Sequence, residues 1–218
     1  MPDFELLMAR RPELRRICAA VDDAYLLLSG AFRSGGKVLV CGNGGSAADA
    51  EHIVGELMKS MARPRPLTAE LAAALLTSAP DGMALDAAYL ADNLELALPA
   101  ISLTSQSGLL TAIGNDTAGD VAFAQQVHGY GRPGDVLWAI STSGRSRNVV
   151  LAGLAARAAG MKVLAMTGER GEVLGALGDV WLRAPAASVS EVQELHQAIY
   201  HAICAALEDD LLARNAFS

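Results

Sequence analysis

This sequence lacks long apolar runs and paired cysteines, and it has few charged residues. Only 19% of its 218 residues are charged and 52% are hydrophobic, yet Gly, Asp or Arg interrupts each apolar run before the roughly 18–20 residues that a membrane span requires. We therefore expect no membrane association. The three cysteines, Cys18, Cys41 and Cys204, form no C-x-x-C pair and lie in apolar patterns, which indicates buried, reduced thiols rather than a disulfide or metal framework.

The charges that are present exclude a further class of partner. The net charge is −7 and the basic residues are scattered, whereas nucleic-acid binding proteins carry clustered positive charge. The segment from Met1 to Glu5 has no basic stretch leading into an apolar one, so we predict no signal peptide and a cytoplasmic location. The length suits one α/β domain spanning residues 1–218.

Short apolar runs alternate with helical patterns along most of the chain. This alternation predicts an α/β fold, a doubly wound five-stranded parallel sheet flanked by helices. An N-terminal helix over 11–34 and a last helix from Val189 to about Ala213 complete it. The five predicted strands are Lys37–Cys41, Ala100–Leu103, Val136–Ile140, Val163–Thr167 and Val180–Arg183.

The segment from about 61 to 99 interrupts this order. Four prolines punctuate two short helical patterns, Thr68–Thr77 and Ala84–Leu96. We interpret the segment as a helical insertion. It either caps a site or an interface, or it is an inert surface excursion.

Two loops rich in glycine and hydroxyls each follow a predicted strand and open a helix. They are Gly42-Asn43-Gly44-Gly45-Ser46 and Ser141-Thr142-Ser143-Gly144-Arg145-Ser146. The N-terminus of a helix presents unpaired N–H groups and partial positive charge, which suits a phosphate or another anion. In parallel sheets ligands lie at the carboxyl ends of the strands, where both loops fall.

The two loops differ in what they favour. The first fits a loose dinucleotide fingerprint, but no second strand ending in an acidic residue follows about 20 positions later, which argues against a dinucleotide. The second offers the hydroxyls of Ser141, Thr142, Ser143 and Ser146, more than a helix cap needs. We interpret it as a phosphate site, with an ordinary helix cap as the alternative.

Two helices carry polar clusters at helical spacing. His52 and Glu56 are four residues apart after the first loop and share a face. In the last helix one face carries Gln193, Gln197 and His201, and the adjacent stripe carries His196, Tyr200 and Cys204. Such groups can bind a divalent metal, divide into a base and an acid, or form a solvated face.

Together these motifs resemble the sugar isomerase (SIS) domain family, and within it the phosphoheptose isomerases. The resemblance covers roughly residues 10–210 apart from the insertion. It is carried by residues 41–50, His52, Glu56, Gly114-Asn115-Asp116, Gly134-Asp135-Val136-Leu137, Ser141 to Ser146, Gln193-Glu194-Leu195-His196 and His201.

The resemblance implies aldose–ketose isomerisation of sedoheptulose 7-phosphate through an enediol. It also implies a homotetramer whose sites lie between subunits. By this resemblance Glu56 is the general base, and His201, contributed by a neighbouring chain, is the acid. Some members bind zinc, one ion per subunit, and the matching ligands would be His52, Glu56, Gln193 and His201. The matching substrate residues are Asn43, Gly44, Gly45, Ser46, Asp116, Ser141, Thr142, Ser143, Ser146 and Gln193.

The chain also departs from the family pattern. It has Lys59-Ser60-Met61 where members often place an Arg, and Ser190 where many have an Asp. Both positions bear on the identity of the sugar. Isomerisation of another sugar phosphate therefore stays open, as does a non-catalytic SIS protein that binds a replication initiator or another protein, although such relatives look altered at the base and acid positions.

Overall fold

The apolar segments that the sequence marks as strands pair into one sheet. The structure is a computed structural model that describes residues 4–215, without the side chains of residues 214 and 215. Residues 1–3, where the segment used for the signal-peptide prediction begins, lie outside it. The described residues form one parallel sheet of five strands, β1 (Val38–Cys41), β2 (Ala100–Ser102), β3 (Val136–Ile140), β4 (Lys162–Thr167) and β5 (Val180–Arg183). The predicted α/β fold is confirmed, and each predicted strand ends within one residue of the observed one.

The strand order explains where a ligand can lie. The order is β2-β1-β3-β4-β5, so the chain leaves β1 towards β2 on one side and later returns to place β3 on the other. Such a reversal opens a crevice at the carboxyl ends of the two strands. The two predicted anion-binding loops follow β1 and β3 and therefore flank this crevice.

Helices cover both faces of the sheet. Alternate residues of β1 pack into two separate cores, Val38 and Val40 into one, Leu39 and Cys41 into the other, as the two-residue period of a strand requires. Within residues 4–215 the helices are α1 (Glu5–Arg10), α2 (Cys18–Arg33), α3 (Gly45–Met58), α4 (Ala69–Ser78), α5 (Ala84–Asn93), α6 (Ser107–Asp116), α7 (Ala122–Tyr130), α8 (Arg147–Ala158), α9 (Glu172–Gly175) and α10 (Val189–Asn215), with 3₁₀ segments at Pro12–Ile17 and Gly119–Val121. In the part of the chain that is described, no helix is long and apolar enough to cross a membrane.

Two helix boundaries differ from the sequence prediction. The segment 11–34 is a 3₁₀ turn followed by α2 rather than one helix, and Pro12 stands at the first position of that turn. The helix α5 ends at Asn93, short of Leu96, because Glu95 bridges to Pro66 and Leu96 donates its N–H to the carbonyl of Arg65 at 2.7 Å. These contacts join the two ends of the segment 61–99.

Candidate active site

Two helices bring a histidine–carboxylate–histidine cluster together. His52 and Glu56 lie one turn apart on α3, and His201 lies on α10, which packs against α3. Nε2 of His52 is 2.9 Å from Oε1 of Glu56 and 3.3 Å from Nε2 of His201. The ligand-type atoms of the three residues all lie within 4.8 Å of one another. The polar clusters predicted on two separate helices thus meet within one chain, so the His201 beside His52 comes from the same chain and not, as the resemblance implied, from a neighbouring one.

The surroundings of this cluster tune its acid–base properties. The side chain of Glu56 is 14% exposed, and its Oε2 has no hydrogen-bond partner among the described residues. Burial, followed by the nearby His52, lowers the pKa of His201 although Glu56 acts to raise it. His201 is therefore neutral at pH 7, as a metal ligand or a hydrogen-bond donor to a developing oxyanion must be.

This donor set fits a zinc ion. Two imidazole nitrogens and one carboxylate oxygen form the protein part of several catalytic zinc sites. Of the Glu56 carboxylate, Oε1 faces Nε2 of His52 at 2.9 Å, whereas Oε2 has no hydrogen-bond partner among the described residues. The cluster as it stands supplies three of the four ligands that the resemblance implies.

The fourth implied ligand, Gln193, contacts the start of α3. Its amide packs so closely against Gly45 that a Cβ at Gly45 would overlap it. Gln193 precedes His201 by eight residues, which is about 12 Å along a helix. Its amide therefore lines the start of α3, beside the first loop, in the conformation described.

The first loop faces the second across the crevice. The side-chain amides of Asn43 and Asn148 exchange two hydrogen bonds, of 2.8 and 2.9 Å. Asn148, in the first turn of α8, escaped the sequence analysis because a polar residue at that position usually signals nothing beyond a helix start. Ser46 is buried, and Gly44 turns the chain into α3 with a φ of +56°.

The second loop wraps the N-terminus of α8. The hydroxyl of Ser141 donates to that of Ser146 at 3.0 Å, and Ser143 Oγ accepts an N–H bond from Arg145 at 3.3 Å. Gly144 has a φ of +63°, and a Cβ there would overlap the backbone of Gly171 in the loop after β4. The loop therefore has the tight, helix-opening geometry that was predicted for an anion site.

A cavity of about 170 Å³ opens beside this loop. Its lining residues include Thr142, Ser143, Arg145 and Arg170, together with Glu169 and four apolar residues. Arg170 was missed in the sequence, where it stands in a separate loop after β4. Two hydroxyl residues and two arginines in this lining are the residue types that bind a phosphate, and Glu169 is the one acidic residue among them.

Asp116 is the predicted site residue for which the structure shows no link to the others. It ends α6 and is exposed, and its Oδ1 accepts a hydrogen bond from the amide of Asn115 at 2.7 Å. Among the described residues, no hydrogen bond joins it to the cluster or to either loop.

A buried ion pair, also missed in the sequence, fastens the helix of Glu56 to the helix of His201. The side chains of Arg65 and Glu208 are 0% and 1% exposed, and Arg65 Nε lies 2.7 Å from Glu208 Oε1. Arg65 also donates to the carbonyls of Glu56 and Leu57 at the end of α3, at 2.8 Å each. The pair therefore fixes the end of α3 relative to α10.

His196, on the adjacent stripe of α10, is buried rather than part of the cluster. Its imidazole is fully buried, and this burial lowers its pKa from the ordinary 6.5 to about 4, although a backbone contact at Thr167 acts to raise it. The folded protein thus binds fewer protons than the unfolded chain between these two pH values. Stability is accordingly lost as the pH falls through this window.

We expect replacement of His196 by Leu to flatten the acid side of the stability profile. At about 1.4 kcal/mol per pH unit, the depressed pKa of His196 removes about 3 kcal/mol of unfolding free energy between neutral pH and pH 4. Urea unfolding at pH 7 and at pH 4.5 measures this difference. The exposed His128 provides the control, since His128→Gln should keep the wild-type pH dependence; an equal pH dependence in His196→Leu would contradict the assignment.

Comparison with known proteins places this arrangement in a family. The SIS domain family model matches residues 13–85 and 79–168. The phosphoheptose isomerase of Rhodospirillum rubrum is 37% identical over 195 residues, covering 89% of this chain and 88% of the relative, and that of Thiobacillus denitrificans is 38% identical, covering 88% and 84%.

Solved structures agree with the sequence relatives. The phosphoheptose isomerase GmhA of Neisseria gonorrhoeae superposes with a TM-score of 0.72 at 34% identity, over 94% of each chain. That of Francisella tularensis gives 0.71 at 30% identity, also over 94% of each chain. The chain therefore belongs to the SIS domain family, within the group that contains the phosphoheptose isomerases.

Proposed function

We propose that this protein is an aldose–ketose isomerase that converts sedoheptulose 7-phosphate into D-glycero-D-manno-heptose 7-phosphate through an enediol. The observation that carries the proposal is the meeting of Glu56 and His201, from two helices, at Nε2 of His52. A base and a proton donor held together are what transfer of hydrogen between adjacent carbons needs. The similarity to phosphoheptose isomerases over most of the chain supports the seven-carbon substrate.

Glu56 is the proposed base. Its Oε1 is engaged by His52 while its Oε2 has no partner among the described residues, and this carboxylate takes a proton from C1 of the ketose and returns it to C2. His201, neutral at pH 7, supplies a proton to the oxygen on C2 as the enediol forms. The hydroxyl on C1 then returns a proton to His201, which restores the acid and leaves the aldehyde.

The two loops would hold the rest of the substrate. We assign the phosphate to Ser141, Thr142, Ser143 and Ser146, supported by the cavity that Thr142 and Ser143 line together with two arginines. The first-loop residues Asn43, Gly44, Gly45 and Ser46, together with Gln193 packed against Gly45, would line the sugar. Asp116 is kept as a sugar ligand on the resemblance alone.

A zinc ion fits His52, Glu56 and His201, and we propose it as the cofactor, one ion per subunit. When bound, zinc supplies a Lewis acid that stabilises negative charge on a sugar oxygen. Gln193 is the fourth ligand of the proposed site, on the resemblance alone. Because Oε1 of Glu56 faces the histidine nitrogens and Oε2 does not bond to them, separate oxygens of one carboxylate can serve the two roles.

The test is a panel of sugar phosphates incubated with the protein, with and without zinc, and followed by NMR. We expect interconversion of the seven-carbon ketose and aldose phosphates. Turnover of only a pentose or hexose phosphate would replace the heptose assignment with another sugar phosphate isomerase. If no sugar in the panel turns over, the alternative is a non-catalytic SIS protein that binds another protein.

We also propose that residues 1–218 form a single domain, with 61–99 as its insertion, and that the protein is a homotetramer. A groove of about 800 Å³ between α1 and α10 supports subunit contact near the site, because its mostly apolar lining reaches His201. The lining includes Phe4, Leu6, Leu7, Tyr25, Met61 and Ala198. Light scattering tests the mass of the assembly, and a monomer would overturn this part.

A cytoplasmic location is proposed for the same protein, working on precursors of bacterial lipopolysaccharide, S-layer or capsule. Its three cysteines are free in the described residues, which suits a reducing compartment. Burial raises the pKa of Cys41 to about 12, so this thiol stays protonated and is not a reactive nucleophile. A heptose phosphate product would feed a glycan pathway in the same compartment.

A further inference from the structure

Tyr200 contacts the histidine at the centre of the candidate site. Its side chain is buried, and its hydroxyl lies 3.0 Å from Nδ1 of His52. The same hydroxyl is 3.5 Å from Oδ1 of Asp49, which lies one turn before His52 on α3. Tyr200 and its neighbour His201 thus approach His52 from the same helix but reach opposite nitrogens of its ring.

Asp49 is poised to complete this chain of groups. Its second oxygen, Oδ2, is buried without a hydrogen-bond partner among the described residues. A carboxylate in this position can accept a hydrogen bond from the hydroxyl of Tyr200. Among the described residues it accepts no hydrogen bond from any other side chain. The order of groups is therefore carboxylate, hydroxyl, imidazole.

The two ring nitrogens of His52 have different hydrogen-bond partners, Glu56 at Nε2 and Tyr200 at Nδ1. A neutral imidazole carries one proton, and the hydrogen bond made by one nitrogen fixes which nitrogen holds it. When Nε2–H donates to Glu56, Nδ1 must accept from Tyr200. When Nε2 offers its lone pair, Nδ1–H must donate, and the hydroxyl of Tyr200 then accepts this bond while donating its own proton towards Asp49.

We propose that Tyr200 is a positioning residue that holds the ring of His52 and stabilises the tautomer with a free Nε2 lone pair, with Asp49 accepting the hydroxyl proton. The inference rests on the proposed zinc site, since a metal ligand needs that lone pair. Partners of this kind behind a ligating histidine change metal affinity by about 10–100-fold. Zinc affinity is thus set in part by two residues that do not touch the ion.

The decisive variant is Tyr200→Phe, which keeps the ring and removes the hydroxyl. We expect zinc affinity, measured by competition with a chromophoric chelator, to fall by about 10–100-fold. In the zinc-free protein, ¹⁵N NMR of the His52 ring should show a changed tautomer distribution. Asp49→Asn should weaken zinc binding less, in the same direction, because the neutral amide is a poorer acceptor.

Tyr130→Phe is the matched control. Its hydroxyl donates to the side chain of Gln106 at 3.0 Å, away from the cluster, and its loss should change neither readout. Wild-type zinc affinity together with an unchanged His52 spectrum in Tyr200→Phe would overturn the inference. If the wild-type protein binds no zinc, the zinc part of the proposed function fails instead, and the ¹⁵N spectrum alone decides the role of Tyr200.

Discussion

Replacing Glu56 by Gln should lower kcat for sugar phosphate isomerisation by about 10²–10⁴-fold, the usual contribution of a positioned proton-transfer group. The amide keeps the size of the side chain and the oxygen that faces His52, but it cannot take a proton from carbon. Steady-state kinetics at saturating zinc and substrate measures the loss. A second measurement, exchange of the C1 hydrogen of the ketose with deuterium from the solvent, should stop together with turnover.

Glu51→Gln on the same helix is the control for this change. Glu51 is exposed, and its Oε1 accepts hydrogen bonds from Ser105 and Thr104 rather than from the cluster, so activity should stay near wild type. Retention of kcat within about threefold in Glu56→Gln, well short of the factor expected for a lost base, would remove Glu56 from that role. Loss of turnover with continued C1 exchange would instead place the defect after proton removal.

The sequence predicts most of the fold because its strands and loops are determined by local patterns. The strands lie within one residue of their predicted bounds, since an apolar run between turn residues marks them directly. The helices α4 and α5 were also predicted, although α5 ends earlier than its apolar pattern. That early end depends on a contact with Arg65, which is about 30 residues away and leaves no local signal.

The residues of the candidate site likewise fall into those that a local sequence pattern predicts and those that it does not. The pairing of His52 with Glu56 follows from helical spacing, and the structure brings His201 of the same chain to it. Asn148, Arg170 and Tyr200 contribute through partners that are distant in sequence, so no local pattern identifies them. Tyr200 was visible only as a member of an unassigned stripe on the last helix.

Glu208 is the clearest case of a residue whose contacts no local sequence pattern predicts. It looks like a surface residue in a charged run before Asp209, yet its carboxylate accepts from the backbone N–H groups of Met61, Ala62 and Arg63 at 2.8, 2.9 and 3.2 Å. Burial acts to raise its pKa, but these bonds and the Arg65 guanidinium hold that pKa below its ordinary value. The folded protein therefore favours the ionised carboxylate of Glu208. The contribution of this carboxylate to the free energy of unfolding is lost as the pH falls.

Replacing Glu208 by Gln should therefore reduce the free energy of unfolding by about 3–5 kcal/mol, because the Arg65 charge is left buried without compensation. Urea unfolding at pH 7 measures this loss. The neighbouring Asp209→Asn is the matched control: Asp209 pairs with Arg63 at 3.3 Å, but the two side chains are 55% and 65% exposed, and such pairs contribute about 0–1 kcal/mol. Equal losses in the two variants would mean that Glu208 contributes no more to stability than its exposed neighbour.

Since Arg65 also binds the carbonyl of Glu56, a folded Glu208→Gln protein should in addition show a reduced kcat, which Asp209→Asn should not.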